Sequence, residues 1–217
     1  SEEGTIYYRI GENGEWSTTA PTAKDAGTYK IYYYITAKSG NADENNGSAE
    51  KPAGSVDVTI AKKTVTVSGI KANNKTYDGT TDAALDFSNV KIDGVVAGDT
   101  VTAEATGTFN SKNVKEANTV TISGLALGGA SAGNYEIAKS GNQNTVEASI
   151  SPCPVELNWS DSNLTYKAEP YTMTADVSNK KSEDDTFTLK YDENCSKTDV
   201  GSYTAKVTGL GNDNYTL

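Results

Sequence analysis

The pattern Asp-x-Gly-Thr/Ser-Tyr occurs twice in this chain. Asp25, Gly27, Thr28 and Tyr29 open the stretch DAGTYKIYYYI, and Asp199, Gly201, Ser202 and Tyr203 open DVGSYTAKV. Recurrence of a patterned corner inside 217 residues is the mark of an internally repeated protein. Each copy stands at the entrance to an alternating strand. There a glycine is expected to take a bend that other residues resist, and a tyrosine hydroxyl can satisfy backbone groups while its ring packs inward.

Composition narrows what the repeats can be. Only 35% of residues are hydrophobic, and Thr, Val and Tyr dominate where Leu and Met are scarce. That usage suits pleated sheets rather than helices, and several small cores rather than one large one. A formal charge of -10 repels phosphate backbones and anionic lipid, so no nucleic-acid partner and no membrane-surface role are expected. No apolar run approaches the roughly 20 residues that cross a bilayer, so no membrane span is expected in this segment. Residue 1 falls just before an apparent mid-domain strand, and Leu217 comes after a signature that should precede a closing strand. The chain therefore reads as an excerpt of a larger protein.

Aligning the corners brings other stretches into register. TIYYRI (5–10) answers TFTLKY (186–191), and VTISGLALGGASAGNYEI (120–137) answers AKVTGLGNDNYTL (205–217), with Asn134-Tyr135 facing Asn214-Tyr215. Three segments result: 1–61 with only the later strands of a module, 62–151 complete, and 152–217 lacking its last strand. Period-two alternation places Tyr29, Ile31, Tyr33 and Ile35 inward, as it does Val56, Val58 and Ile60, then Val146, Ala148 and Ile150, then Val155, Leu157 and Trp159. Strands covered on one side predict antiparallel sheets.

The Gly-Tyr corner resembles the tyrosine corner of immunoglobulin-like sandwiches without their disulfide. KTYDGTT (75–81), GDTVTA (98–103) and GNYEI (133–137) together resemble the YDG repeat of large bacterial surface proteins. The flanking segments are similar to the mostly-bacterial immunoglobulin-like (MBG-type) repeats. The resemblance implies an all-β fold of tandem small antiparallel immunoglobulin-like β-sandwich modules in an elongated array, with β-grasp-like sheets as the alternative. One departure is visible: NVKEANTVTI (113–122) has Lys115 or Glu116 where the corner glycine belongs and Asn118 near the tyrosine position, so that bend must be built differently.

Chemistry-bearing residues are few. With no histidine and two cysteines, triads, imidazole metal sites and zinc fall away, and no metal or cofactor is expected. Cys153 and Cys195 could close a loop as a disulfide or remain two free thiols. The densest acidic groups, Asp43-Glu44, Glu183-Asp184-Asp185 and Asp192-Glu193, read as solvated loops that do not raise a carboxylate pKa as a general acid requires. In the YDG motif, Tyr77 is expected to pack beside a turn formed by Asp78 and Gly79, with Gly79 supplying positive φ. Candidate contact residues are Tyr7, Tyr32 and Tyr34, an outward cluster if TIYYRI neighbours YKIYYYI, together with Trp16 beside a turn expected at Gly14.

The resemblance implies a non-enzymatic stalk or adhesive segment, extracellular and at the bacterial cell surface or secreted, whose partners are neighbouring repeats of the same larger protein. The rival readings are a module that binds host or microbial glycans or surface proteins through those aromatics, and an accessory domain of a secreted hydrolase.

Overall fold

Threonine, valine and tyrosine runs fold as short strands throughout the computed structural model, which describes residues 4–36, 47–160 and 163–217. Among the described residues there is no α-helix, only the single 3-10 turns Ala132–Asn134 and Glu193–Cys195. The all-β expectation therefore holds, as several small sheets. The chain divides into two compact units, Ser1–Val67 with Ile92–Thr102 and Leu127–Gly141, and Ser68–Lys91 with Ala103–Ala126 and Asn142–Leu217.

In the first unit, Thr5–Ile10, Gly27–Thr36 and Gly54–Ile60 form an antiparallel sheet with Tyr7 opposite Tyr34 and Tyr29 opposite Val58. The alternation is as read, but the inward face is not covered: Val56 is 52% and Val58 42% exposed, and no described residue of 4–60 is fully buried. An alternating strand announces an apolar face; it does not supply the layer that covers it. At the corner, the Tyr29 hydroxyl donates to the Asp25 carbonyl at 2.8 Å, as the pattern suggested. The same unit pairs Lys63–Ser68 with Tyr135–Ile137, burying Val65, Val67 and Tyr135.

In the second unit, residues 145–147, 119–126, 103–109 and 82–83 form a four-stranded sheet in that order. Several two-stranded ladders accompany it, among them Leu157–Trp159 with Ala175–Val177 and Lys190–Tyr191 with Val207–Gly209. Separate small cores were expected; instead one buried cluster joins Tyr77, Phe109, Val120 and Ile150 to Cys153, Val207, Leu210 and Tyr215, crossing position 151 without a break. Trp159, read as core, is 36% exposed and meets Tyr191 edge-on.

The antiparallel expectation also needs correction. Tyr135–Ile137 pairs parallel with Lys63–Val65, Ile150–Ser151 with Lys75–Thr76, and Cys153–Pro154 with Tyr215–Thr216. Period-two patterning reports which face a residue occupies, not the direction of its neighbour. Parallel partners need a long connection, and here most of a segment intervenes between them.

The bend that lacks both glycine and tyrosine is built by Asn110. Its Oδ1 accepts from the N–H groups of Asn118 and Thr119, each at 3.1 Å, while its Nδ2 donates to the Glu116 carbonyl at 3.0 Å. Ser111 Oγ ties the Glu116 carboxylate back at 2.8 Å. One amide thus does what the tyrosine hydroxyl does elsewhere. Asn110→Ala is expected to cost about 1–2 kcal/mol in urea unfolding, for three lost hydrogen bonds in a partly solvated bend; a change under about 0.3 kcal/mol would show that the bend holds itself.

Candidate functional site

Two asparagines that the repeat alignment pairs occupy equivalent places in the structure. In the first unit the Ala26 N–H donates to Asn134 Oδ1 at 2.7 Å, and Asn134 Nδ2 donates to Asp25 Oδ1 at 3.0 Å. In the second unit the Val114 N–H donates to Asn214 Oδ1 at 2.8 Å, and Asn214 Nδ2 donates to Asn113 Oδ1 at 3.2 Å. Because a backbone N–H can only donate, it orients each amide unambiguously. Each asparagine caps the corner of the segment before its own.

The tyrosine next to each asparagine points the other way, into its own segment. Tyr135 donates to Asp99 Oδ2 and accepts from the Val96 N–H at 2.9 Å. Tyr215 donates to Asp185 Oδ2 at 2.6 Å and accepts from the Lys181 N–H at 2.7 Å. Asn-Tyr is thus a two-sided clamp, with the amide on the preceding corner and the phenol on a local carboxylate.

The second clamp carries a further tie. Tyr77 of the YDG motif, 1% exposed, donates to the other oxygen of Asp185 at 2.8 Å, and its ring meets Tyr215 edge-on at 5.3 Å. The Ser182 N–H adds a third hydrogen bond to this carboxylate at 2.9 Å. Burial opposes ionisation of Asp185, but the bonds from Tyr215, Tyr77 and Ser182 outweigh it and hold the carboxyl below the usual aspartate range. Burial, followed by the same bond, pushes Tyr77 up to about 12, and burial likewise raises Tyr215. At neutral pH the pair of phenols is neutral and the carboxylate charged, with both its oxygens engaged. Sequence reasoning placed Asp185 in a solvated acidic loop; the structure buries it, because its partners come from 30 and 108 residues away. Asp43-Glu44 lie outside the described residues.

Glycine and aspartate of the motif serve the same junction. Asp78 Oδ1 accepts from Thr80 N–H at 2.9 Å and from Lys75 Nζ at 2.8 Å, closing the turn. Gly79 takes φ +81°, as expected, and a Cβ there would stand 2.7 Å from the Lys181 carbonyl. The corner glycines differ from expectation, for neither Gly27 nor Gly201 has positive φ. At Gly201 the constraint is room for the Tyr203 ring, which a Cβ at this position would approach to 2.9 Å, beneath the hydroxyl that reaches the Asp199 carbonyl at 3.3 Å.

The aromatic candidates do assemble. Tyr7 and Tyr34 stack at 4.8 Å with planes 3° apart, Trp16 meets Tyr34 edge-on at 4.6 Å, and the Arg9 guanidinium lies over Trp16 and Tyr32. All four rings are half-buried. Cys153 and Cys195 are free and buried; burial and then the hydrogen bond to Asp192 push the Cys195 thiol up. Among the described residues no three His, Cys, Asp or Glu side chains come together as a metal-binding group.

Residues 61–144 match the model of the YDG domain, a domain typical of bacterial surface repeat proteins. No curated protein and no solved structure shows significant similarity to the chain. The match ends before Asp185 and Tyr215, so the clamp on the motif tyrosine joins the matched region to the segment C-terminal to it.

Because Asp185 has a lowered native pKa, its contribution is complete above the free-aspartate value of about 3.9 and is lost as pH falls through the native one. Asp185→Asn is therefore expected to cost about 1–3 kcal/mol at pH 7 and to flatten the acid side of the stability profile; parallel acid profiles for the two proteins would refute the assignment. On the alkaline side the raised Tyr77 gives stability that is full below about pH 10 and fades as pH climbs towards about 12. Gly79→Ala should cost more than Gly98→Ala. Both have positive φ, which is worth about 1–2 kcal/mol against alanine, but only Gly79 also meets backbone. Equal losses in urea unfolding would remove the close-approach argument.

Proposed function

We propose that this chain is a non-enzymatic structural segment of a bacterial cell-surface protein, working outside the cell as a spacer or adhesin stalk. Its modules, with boundaries near 61 and 151, are immunoglobulin-like sandwiches in series. The YDG domain at 61–144 supports the setting. The observation that carries the mechanism is the repeated clamp: Asn134 and Asn214 each cap the preceding corner with the same pair of hydrogen bonds. A side-chain amide fixed at both ends resists swivelling at a joint, and the buried Asp185 with its two phenols adds an apolar, water-excluding seam at the second. A stalk needs joints that transmit orientation, and these residues supply it without any reacting group.

The second reading, recognition of a glycan or a protein surface, is favoured by the Tyr7, Tyr34 and Trp16 assembly with Tyr32 beside it. Flat rings on a sheet can stack on sugar faces. Their own faces are already engaged, however: Tyr7 on Tyr34, and Arg9 on Trp16 and Tyr32. A panel of host and microbial polysaccharides separates the two. The stalk reading expects no saturable binding by the native chain or by the Tyr7→Ala, Tyr32→Ala, Tyr34→Ala triple variant, whereas binding by the native chain that the triple variant loses would replace the stalk with a recognition module.

A further inference from the structure

The corner recurs three times and is occupied twice. Asp25-Ala26 receives Asn134, and Asn113-Val114 receives Asn214. The third copy is Asp199-Val200. Among the described residues its Val200 N–H has no acceptor, and the Val200 side chain is 85% exposed, while Val114 packs against the core.

The YDG motif recurs beside it in altered letters. Asn74-Lys75-Thr76-Tyr77-Asp78-Gly79 is answered by Asn163-Leu164-Thr165-Tyr166-Lys167-Ala168. Ala168 has φ +57°, and it is the one non-glycine with positive φ among the described residues, at the place where Gly79 has +81°. A residue with a Cβ adopts that conformation at a cost, so Ala168 holds under strain the backbone that Gly79 takes freely. Tyr77 is 1% exposed and hydrogen-bonded to Asp185; Tyr166 is 61% exposed. Leu164 and Tyr203 stand open on the same rim, 45% and 44% exposed. Together with Val200 they line an open pocket of about 620 Å³. On the middle segment the equivalent Tyr77 belongs to, and Val114 packs against, the buried cluster that also holds Cys153, Leu210 and Tyr215.

We infer that the face formed by Leu164, Tyr166, Val200 and Tyr203 is a vacant socket for one occupant, a further module of this repeat type joined in series, whose Asn-Tyr turn caps Asp199-Val200 as Asn214 caps Asn113-Val114. The occupant's carboxylate takes the Tyr166 hydroxyl, as Asp185 takes that of Tyr77. The inference deepens the stalk reading by assigning the residues of the next joint. It rests on the two filled corners rather than on the absence of glycan binding, so either can fail alone.

The test extends the chain with itself. Tyr215–Leu217 stands where Tyr135–Ile137 stands one repeat earlier, so appending residues 138–217 after Leu217 supplies a closing strand and a new Asn-Tyr turn in register. Amide hydrogen exchange at Val200 should slow by about tenfold or more, and Tyr166 should become inaccessible to a fluorescence quencher. Asn214→Ala in the appended copy alone should reverse the Val200 protection. Unchanged Val200 exchange, with the appended amides themselves protected, overturns the proposal.

If the extended chain does not fold, the original chain decides. Tyr166→Ala and Val200→Asp should leave its melting temperature unchanged, while Tyr77→Ala and Val114→Asp lower it by several degrees. Comparable losses at both pairs would make the third face an ordinary part of the fold and refute the socket. Self-association of the original chain that Val200→Asp abolishes would give the face to a second copy, and equally refute it.

Discussion

A carboxylate can stay charged in a protein interior only where hydrogen bonds replace the water it has lost, and the Asp185 site meets that condition with donors from two different segments. Tyr77 arrives from the YDG turn, Tyr215 from the last ladder, and the Ser182 N–H from the loop of Asp185 itself. Remove both phenols and only the Ser182 N–H is left beside an under-solvated charge. The apolar cluster around them includes Phe109, Ile150, Val207 and Leu210, and both tyrosines that serve the charge belong to it. The YDG motif is therefore a docking element: its tyrosine supplies the hydroxyl, its aspartate closes the turn and its glycine lets the backbone approach Lys181.

The asparagine clamps add orientation to that adhesion. A buried apolar seam is tolerant of rotation, whereas an amide that accepts from a backbone N–H and donates to a neighbouring side-chain oxygen accepts only one geometry. Its recurrence at Asn134 and Asn214, on corners built by different means, shows what the repeats hold in common. Tyr29 secures one corner through its hydroxyl and Asn110 secures the other through its side-chain amide, yet both present the same backbone donor to the next segment.

Much of this was visible in the letters, and the remainder was hidden for physical reasons. The Asp78-Gly79 turn, the hydroxyl-to-carbonyl corners and the matching of Asn134-Tyr135 with Asn214-Tyr215 all arise from local chemistry, which a sequence displays. Asp185 does not: in an acidic run it has the composition of a solvated loop, and only a tyrosine 108 positions away makes it a buried anion. Likewise the alternation of Val56 and Val58 was legible but the missing cover over them was not, and the parallel ladders were hidden because face periodicity is blind to strand direction. Neither corner glycine takes a left-handed backbone, and a Cβ at Gly27 would meet only ordinary contacts. At Gly201 the constraint is the closeness of an aromatic ring rather than a left-handed backbone.

The joint turns on one shared charge, and a double-mutant cycle between Tyr77→Phe and Tyr215→Phe, read by urea unfolding at neutral pH, addresses it most directly. With a single phenol removed, the remaining one and Ser182 still solvate the carboxylate; with both removed, one N–H is left to do so. The loss in the double variant is therefore expected to exceed the sum of the single losses by more than about 0.5 kcal/mol. Additivity within about 0.3 kcal/mol would mean that the two tyrosines act independently, and that the Asp185 carboxylate does not join the segments they come from.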